Sequence, residues 1–275
     1  MLNVLKQARA AISLLNPGEV RHLAQRRVTV GLVADSEAGY AALENLLAHG
    51  DGLMYRATDP DVPEHVDLVL YEPGLAGPEG TYSLELDDPG ATIAEILHDH
   101  DDLVLPLARQ FPAFRAPVVE HIIQSVSREN AFFAVATALP DIIPSLAELP
   151  WALGEFASDT AFLTVNQVRM AFMIAAACGK DAGFAHQKIA IASIVAGAFG
   201  WRALARELVG KIPLGAGIIP KGAIAYAGTY AVGKGLEYYH HAGAALPRGE
   251  RESVYRRALE RGKSVVESLV PKRAD

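Results

Sequence analysis

Short apolar runs bounded by turn-forming residues alternate with helical spacing along the first 116 residues. The run at 28–33 (VTVGLV) predicts a buried strand, and residues 39–48 continue from it with the spacing of a helix. The same reasoning predicts strands at 53–57, 66–71 and 103–107, a helix near 92–98 and an N-terminal docking helix at 2–15. Strands that alternate with helices indicate a parallel sheet. We therefore expect an α/β domain over residues 1–116, truncated to few strands.

The apolar spacing becomes helical from residue 117 onward, which predicts an all-α helical bundle domain over residues 117–275. Helices are expected at 118–139, 153–178, 184–209, 218–241 and 251–269. The last one is charged, with Glu252 four residues before Arg256, and is expected to face solvent. No window offers the roughly 20 apolar residues of a membrane span. A compact bundle is therefore favoured over an integral membrane protein, with contact to a membrane surface left open.

Small residues recur at every fourth position in two of these helices, a spacing that lets helix backbones approach closely. The two stripes are Ala192, Ala196 and Gly200 in one helix and Ala223, Ala227, Ala231 and Gly235 in the other. We expect both stripes to be packing seams.

The segment between the first strand and its helix has the frame of a Walker A phosphate loop, G-x-x-x-x-G-K-[ST], without its chemistry. Ala34 stands at the first glycine, Tyr40 at the lysine and Ala41 at the hydroxyl that holds magnesium. Only Gly39 matches, and Glu37 adds a negative charge where a triphosphate would sit. We interpret the segment as the vestigial phosphate loop of a GTPase-like domain. It comprises Ala34, Asp35, Ser36, Glu37, Ala38, Gly39, Tyr40 and Ala41.

A second GTPase signature, the D-x-x-G turn after the third strand, is also altered. Tyr71 stands where the metal-side aspartate would be, and Gly74 completes a vestigial switch turn. No N-K-x-D sequence for guanine recognition follows. We therefore expect a degenerate GTPase-like domain with no catalytic residues and no cofactor. A GTP-binding enzyme with an unconventional phosphate loop is the alternative.

Charge differs between the two halves of the chain. Residues 1–118 carry 8 Lys and Arg against 18 Asp and Glu, in a chain whose overall net charge is −7. An acidic first half argues against nucleic acid as a partner, because nucleic acid needs a basic footprint. Residues 1–16 lack the pattern of a secretory signal, and the single cysteine, Cys178, excludes an internal disulfide. These features favour a cytoplasmic protein.

One short segment, 98–102 (HDHDD), has the residue types of a metal site. In an extended conformation His98, His100 and Asp102 would point the same way, as zinc ligands do. The alternative, a solvated loop, is favoured, so no metal site is predicted. Cys178 lies among small apolar residues and is expected to be a packed thiol. No nucleophile motif such as G-x-S-x-G is present.

Five segments of the helical half occur in the order of a known family. They are 128–134 (RENAFFA), 138–144 (ALPDIIP), 163–167 (LTVNQ), 211–217 (KIPLGAG) and 225–233 (AYAGTYAVG). Together they resemble the helical module called domain of unknown function 697, over about residues 118–242. The resemblance implies a bacterial protein in which the module follows an Era-like GTPase domain. It also implies frequent membrane association, and no reaction is assigned to the module.

Polar residues on the apolar helices are the candidates for partner contacts. Asn166 and Gln167 could contact a partner, or they could form an interhelical hydrogen bond that fixes the helix register. Four cations could form a basic edge toward anionic lipid or an acidic partner, or could be ordinary helix-end charges. They are Arg202, Arg206, Lys211 and Lys221. We expect a non-enzymatic interaction protein whose helical module binds a protein partner, itself or the surface of the inner membrane.

Overall fold

The structure, a computed structural model, describes residues 15–47, 52–58, 64–75, 77–85, 88–137, 159–194 and 218–269. These residues form two compact units. One comprises the described residues of Gly18–His121 and Ala175–Asp181, and the other those of Met1–Pro17, Ile122–Ile174 and Ala182–Asp275. Several predicted features lie outside the described residues: the docking helix before Leu15, the predicted helix 184–209 beyond residue 194, and the cations Arg202, Arg206 and Lys211.

The first unit is built on a small parallel sheet. Its elements in chain order are α1 (Pro17–Gln25), β1 (Thr29–Val33), α2 (Glu37–Leu47), β2 (Leu53–Arg56), β3 (Leu68–Tyr71), β4 (Tyr82–Ser83), α3 (Gly90–Asp99) and α4 (Val104–Gln110). The four strands are all parallel and lie in the order β2-β1-β3-β4. This is the order of the first four strands of flavodoxin-like doubly wound sheets. The prediction of a mixed α/β fold with a parallel sheet is confirmed.

β1 lies between β2 and β3 and is the most buried strand of the sheet. Val30 and Leu32 on one face have no exposed surface and Gly31 on the other face is also buried, as expected for a parallel strand covered on both faces. Val30 pairs with Met54 of β2 and with Leu68 of β3. The near-continuous apolar run that predicts this strand therefore has a direct physical cause.

The segment 103–107, predicted as a strand, is helical, so that prediction is wrong. α4 begins at Val104, and Leu105 and Leu107 are buried on it. A short continuous apolar run suits a buried strand or a buried helix, and periodicity does not separate the two. Pro106 is the signal that does, because it lacks the N–H that a central strand needs but is tolerated in the first turn of a helix. The fourth strand is the two-residue β4, which is too short to produce an apolar pattern.

Asp67 holds the amino-terminal edge of the sheet together. Thr29 donates hydrogen bonds to Asp67 Oδ2 from its backbone N–H and from its hydroxyl, both at 2.8 Å. Arg26 pairs with Asp67 Oδ1 at 2.6 Å. Burial alone would raise the pKa of Asp67, but the Thr29 hydrogen bonds and the Arg26 charge outweigh it, so this pKa lies below its ordinary value. The bonds join β1 to the residue before β3, which helps to fix the register of the two strands.

The second unit takes most of its residues from four helices, α5 (Pro112–Ala136), α6 (Asp159–Ala177), α7 (Ile218–Ala242) and α8 (Arg248–Leu269), with further helical residues at 188–194. Ala223, Ala227 and Ala231 of α7 are buried in one apolar cluster with residues of α5 and α8, as predicted for a packing seam. The seam prediction is wrong at Gly235, which has open space around it, and at Ala192, which is exposed; Ala196 and Gly200 lie outside the described residues. The contact between α7 and α8 is close, because a Cβ placed on Gly262 would lie 3.0 Å from the carbonyl oxygen of Ala223. None of the helices in the described ranges is both long and apolar enough to cross a membrane.

Candidate functional site

The carboxyl ends of β1 and β3 form the position at which doubly wound sheets bind ligands. After β1 the chain turns through α2 to β2 on one side, whereas after β3 it continues to β4 on the other side. Neighbouring connections that leave in opposite directions open a crevice between them, which is where ligands bind in this class of sheet. The predicted vestigial phosphate loop follows β1, and the predicted switch turn follows β3. The sheet therefore brings both predicted segments to one place, called here the switch-point crevice.

Glu72, the residue directly after β3, fills this crevice with a carboxylate. Its backbone N–H donates to the carbonyl oxygen of Val33 at 2.9 Å, which continues the pairing of β3 with β1. Its side-chain Oε2 accepts a hydrogen bond from the backbone N–H of Asp35 at 3.1 Å. Backbone N–H groups of the loop before a helix are the groups that hold phosphate in a working phosphate loop. In this chain, one of them holds an internal anion instead.

Gly39 makes room for that carboxylate. A Cβ placed on Gly39 would lie 2.3 Å from Glu72 Oε2 and 2.5 Å from Oε1, so any other residue would displace the side chain of Glu72. The retained glycine of the Walker A frame thus has a structural role that involves no phosphate. Glu72 lies inside the predicted switch turn, but no motif of the sequence marks it as functional. The sequence signal that could identify Glu72 is an acidic residue at the carboxyl end of a strand, next to a loop.

Ser36 caps α2 and accepts a hydrogen bond from a further N–H group at the start of this helix. The Ser36 hydroxyl accepts a hydrogen bond from the backbone N–H of Gly39 at 3.0 Å, and its carbonyl accepts one from Tyr40 at 3.1 Å. A serine in this position is a preferred helix cap. The bond to Tyr40 is the first bond of the helix itself, so the cap gives one otherwise unpaired N–H of the first turn, that of Gly39, a local partner.

Arg56, the last residue of β2, lies beside the loop, but two carboxylates hold it. It bonds to Glu37 at 2.7 and 2.9 Å and to Glu44 at 2.6 and 3.0 Å. Its guanidinium also lies 5.1 Å from the ring centre of Tyr40. The hydrogen bonds to Glu44 and then Glu37 raise the pKa of Arg56, and the bond from Arg56 lowers the pKa of Glu44 despite burial. Tyr40, which replaces the Walker lysine, thus contacts a cation that is already paired.

Tyr71 and Gly74 of the predicted switch turn have the contacts and conformation of ordinary sheet and turn residues. Tyr71 pairs with Val33 of β1 and Ser83 of β4 in the sheet. Its ring lies against Gly77, where a Cβ would be 2.5 Å from Tyr71 Cε2. Gly74 has a φ of 85°, the left-handed conformation that favours glycine in a turn. Ala34, Ala38 and Ala41 contribute no polar side-chain group to the crevice.

Two of the three acids of the candidate metal segment 98–102 are held by other side chains of the unit. Asp99 accepts a hydrogen bond from the Tyr82 hydroxyl at 3.0 Å, and Asp102 pairs with Arg26. Burial and the bond to Asp99 raise the pKa of Tyr82 to about 12. His98 belongs to α3, so the segment does not have the extended conformation that would align the three candidate ligands. Within the described ranges, no group of three acid, histidine or cysteine side chains is arranged to hold a metal ion.

Asn166 and Gln167 lie inside the helical unit, 2% and 8% exposed. The Asn166 amide donates hydrogen bonds to Asn130 Oδ1 and to Glu129 Oε2, both at 3.0 Å. The Gln167 amide donates to the Thr229 hydroxyl at 3.2 Å, and that hydroxyl also accepts from Asn130 at 2.7 Å. Residues of α5, α6 and α7 are thereby joined in one buried polar network. Lys221, the remaining candidate, is exposed and donates to the Thr137 hydroxyl at 3.1 Å.

A charged pair continues this network toward its edge. Arg169 of α6 donates to Glu129 of α5 at 2.5 Å and to Asn166 Oδ1 at 3.0 Å. The two amides on α6 stand out in the sequence as polar residues of an apolar helix, but none of their partners does. Asn130 and Glu129 fall in one segment of the family resemblance and Thr229 in another, yet only the fold brings them together.

The fit between Gly39 and Glu72 can be tested with a double-mutant cycle. In a Glu72→Ala background, Gly39→Ala should stabilise the protein by about 0.5–1 kcal/mol, because alanine has the higher helix propensity. In the wild type the same change should give no gain, because the new methyl displaces the carboxylate and breaks a bond worth about 0.5–1.5 kcal/mol. Denaturant unfolding of the four proteins measures the coupling.

The exposed Glu79 provides the control for that cycle. In a Glu79→Ala background, Gly39→Ala should change the free energy of unfolding by the same amount as it does in the wild type. Coupling to Glu72 that is no larger than coupling to Glu79 would show that the carboxylate does not occupy the crevice.

Comparisons with known proteins identified no similar protein. A scan of the chain against models of protein families found no match, and comparisons with curated proteins and with solved structures found no significant match. The resemblance to domain of unknown function 697 therefore stays a prediction from the five sequence segments.

Proposed function

We propose that this protein is a non-enzymatic, pseudo-GTPase-like interaction protein. Its α/β unit keeps the position of a phosphate site but fills it with its own carboxylate, and its helical unit binds a protein partner, a second copy or a membrane surface. The observation that carries the proposal is the hydrogen bond from the Asp35 N–H to Glu72, with Gly39 packed against the same carboxylate. The proposed location is the cytoplasm or the cytoplasmic surface of the inner membrane.

The charges around the switch-point crevice support this proposal. Asp35, Glu37 and Glu72 bring three carboxylates to the segments that would surround a triphosphate, and Glu44 adds a fourth nearby. Arg56 is the cation that pairs with these acids, and it is bonded to two of them. Phosphate sites in proteins use exposed N–H groups and cations. A nucleotide would have to displace Glu72 and would then meet an excess of negative charge.

The rival proposal, a GTP-binding enzyme with an unconventional loop, gives the opposite result in a titration. We expect no heat of binding for GTP or ATP with magnesium at submillimolar concentration. Glu72→Ala frees one N–H but supplies no lysine, so it should gain at most weak affinity, in the millimolar range or about −4 kcal/mol.

Glu79→Ala is the control, since it removes one exposed carboxylate far from the loop in sequence. Micromolar binding by the wild-type protein would rule out the pseudo-GTPase proposal. Micromolar binding by Glu72→Ala alone would mean that the carboxylate is a displaceable inhibitor of a working site, which contradicts the proposal equally.

A further inference from the structure

We propose that the helical unit binds an anionic amphiphile, of the class of medium- to long-chain fatty acids, in a groove along α7. The groove has a volume of about 620 Å³. Its walls come from helical residues 188–194, from the C-terminal half of α7 and from the turn into α8. This site is separate in sequence and in chemistry from the switch-point crevice, and the inference does not depend on the proposed function.

The walls of the groove are apolar and smooth. Along α7 they are formed by small or aliphatic residues and one tyrosine: Ala231, Val232, Gly235, Leu236 and Tyr239. The nine residues from Ala231 to Tyr239 extend about 12 Å along the helix. Ile189 contributes to the opposite wall and is 68% exposed, which makes it the most exposed large apolar side chain in the described part of the chain. The volume falls within the range of small-molecule sites, which are mostly apolar with few polar groups.

Charge at one end of the groove determines the kind of head group. The charged lining residues are Arg248, Arg251 and Glu252, all from the start of α8. Because α8 begins soon after α7 ends, these charges lie near Tyr239 and away from Ala231. Arg248 pairs with Glu252 at 3.1 Å, so the lining keeps one net positive charge, which Arg251 supplies. The N-terminal end of a 22-residue helix adds a favourable potential for an anion. One anionic head and one apolar tail match this arrangement.

Two variants test the two parts of this site. Gly235 lines the groove, and a Cβ there would meet nothing within 4 Å, so Gly235→Leu should fill the groove without disturbing helix packing. Gly228 has equally open surroundings on the same helix but does not line the groove, which makes Gly228→Leu the matched control. Arg251→Gln removes the unpaired charge of the lining, and Arg256→Gln, an exposed change on the same helix, is its control.

The probes are laurate and its uncharged counterpart dodecanol, titrated into the full chain by calorimetry below their aggregation concentrations. Laurate should bind the wild type, and each methylene removed from the chain should weaken binding about fourfold. Gly235→Leu should weaken laurate binding about tenfold or more, and Arg251→Gln about fivefold. Gly228→Leu and Arg256→Gln should bind laurate as the wild type does.

Three results would overturn the proposal. The first is no saturable laurate binding by the wild type. The second is equal binding of laurate and dodecanol, which would remove the anion from the recognition. The third is a wild-type dimer in light scattering that Gly235→Leu dissociates, because the groove would then be occupied by a second copy of the chain. Nucleotide binding is measured in a separate titration, so failure here is distinguishable from failure of the pseudo-GTPase proposal.

Discussion

Asn130→Ala is expected to destabilise the helical unit by about 3 kcal/mol. Asn130 has no exposed surface, donates to the Thr229 hydroxyl and accepts from the Asn166 amide. Its removal leaves two buried polar groups with one partner fewer each, and each loss of this kind costs about 1–3 kcal/mol. In the low-dielectric interior, a buried polar group that loses its partner costs more free energy than an apolar group in the same place would. Denaturant unfolding, followed by helical circular dichroism, measures the cost.

Asn45→Ala is the matched control, because it makes the same chemical change at an exposed position of α2. Surface changes of this kind stay within about 0.5 kcal/mol. Thr229→Val completes a double-mutant cycle, since it removes the hydroxyl and keeps the shape. The cycle should show coupling between Asn130 and Thr229 of about 1 kcal/mol or more. A cost for Asn130→Ala as small as that for Asn45→Ala would mean that the network adds nothing to stability.

The sequence predicts the parts of this fold in which local pattern and tertiary role agree. β1 and β3 are apolar because they lie inside the sheet, and α7 has helical spacing because one face packs against α5 and α8. The prediction fails at residues 103–107, where a buried helix and a buried strand require the same residues. Strand pairing and strand order carry no local signal, so the order β2-β1-β3-β4 follows only from the structure.

The candidate site likewise has features that the sequence predicts and features that only the fold reveals. The mismatches with the Walker A pattern at Ala34, Tyr40 and Ala41 are a property of the sequence alone. The role of Glu72 depends on the register of β3 against β1, which brings residues 35 and 72 within hydrogen-bond distance. Likewise, Asn166 and Gln167 stand out as polar residues on an apolar helix, but their partners come from α5 and α7. Pattern thus identifies the residue, and only topology identifies what it contacts.

Adjacent residues of α7 should respond in opposite directions to an increase in size. Ala227 has no exposed surface and belongs to the apolar cluster between α5, α7 and α8, so Ala227→Leu adds three carbons to a filled contact. Overpacking of this kind typically costs about 1–3 kcal/mol. Gly228 is the next residue, and a Cβ there would meet nothing within 4 Å. Gly228→Ala should therefore stabilise the protein by about 0.5–1 kcal/mol through helix propensity alone.

The sign of the change in unfolding free energy caused by Ala227→Leu tests the orientation of α7 as well as its packing. If α7 presented Ala227 to solvent or to a partner, Ala227→Leu would leave the free energy of unfolding nearly unchanged. A seam between helices requires the leucine variant to melt at a lower temperature than the wild type and the alanine variant at a higher one. Because both changes lie one residue apart on the same helix, differences in helix length or helix ends affect them equally. The gain at Gly228 comes from helix propensity, whereas the loss at Ala227 requires that this face of α7 packs against α5 and α8.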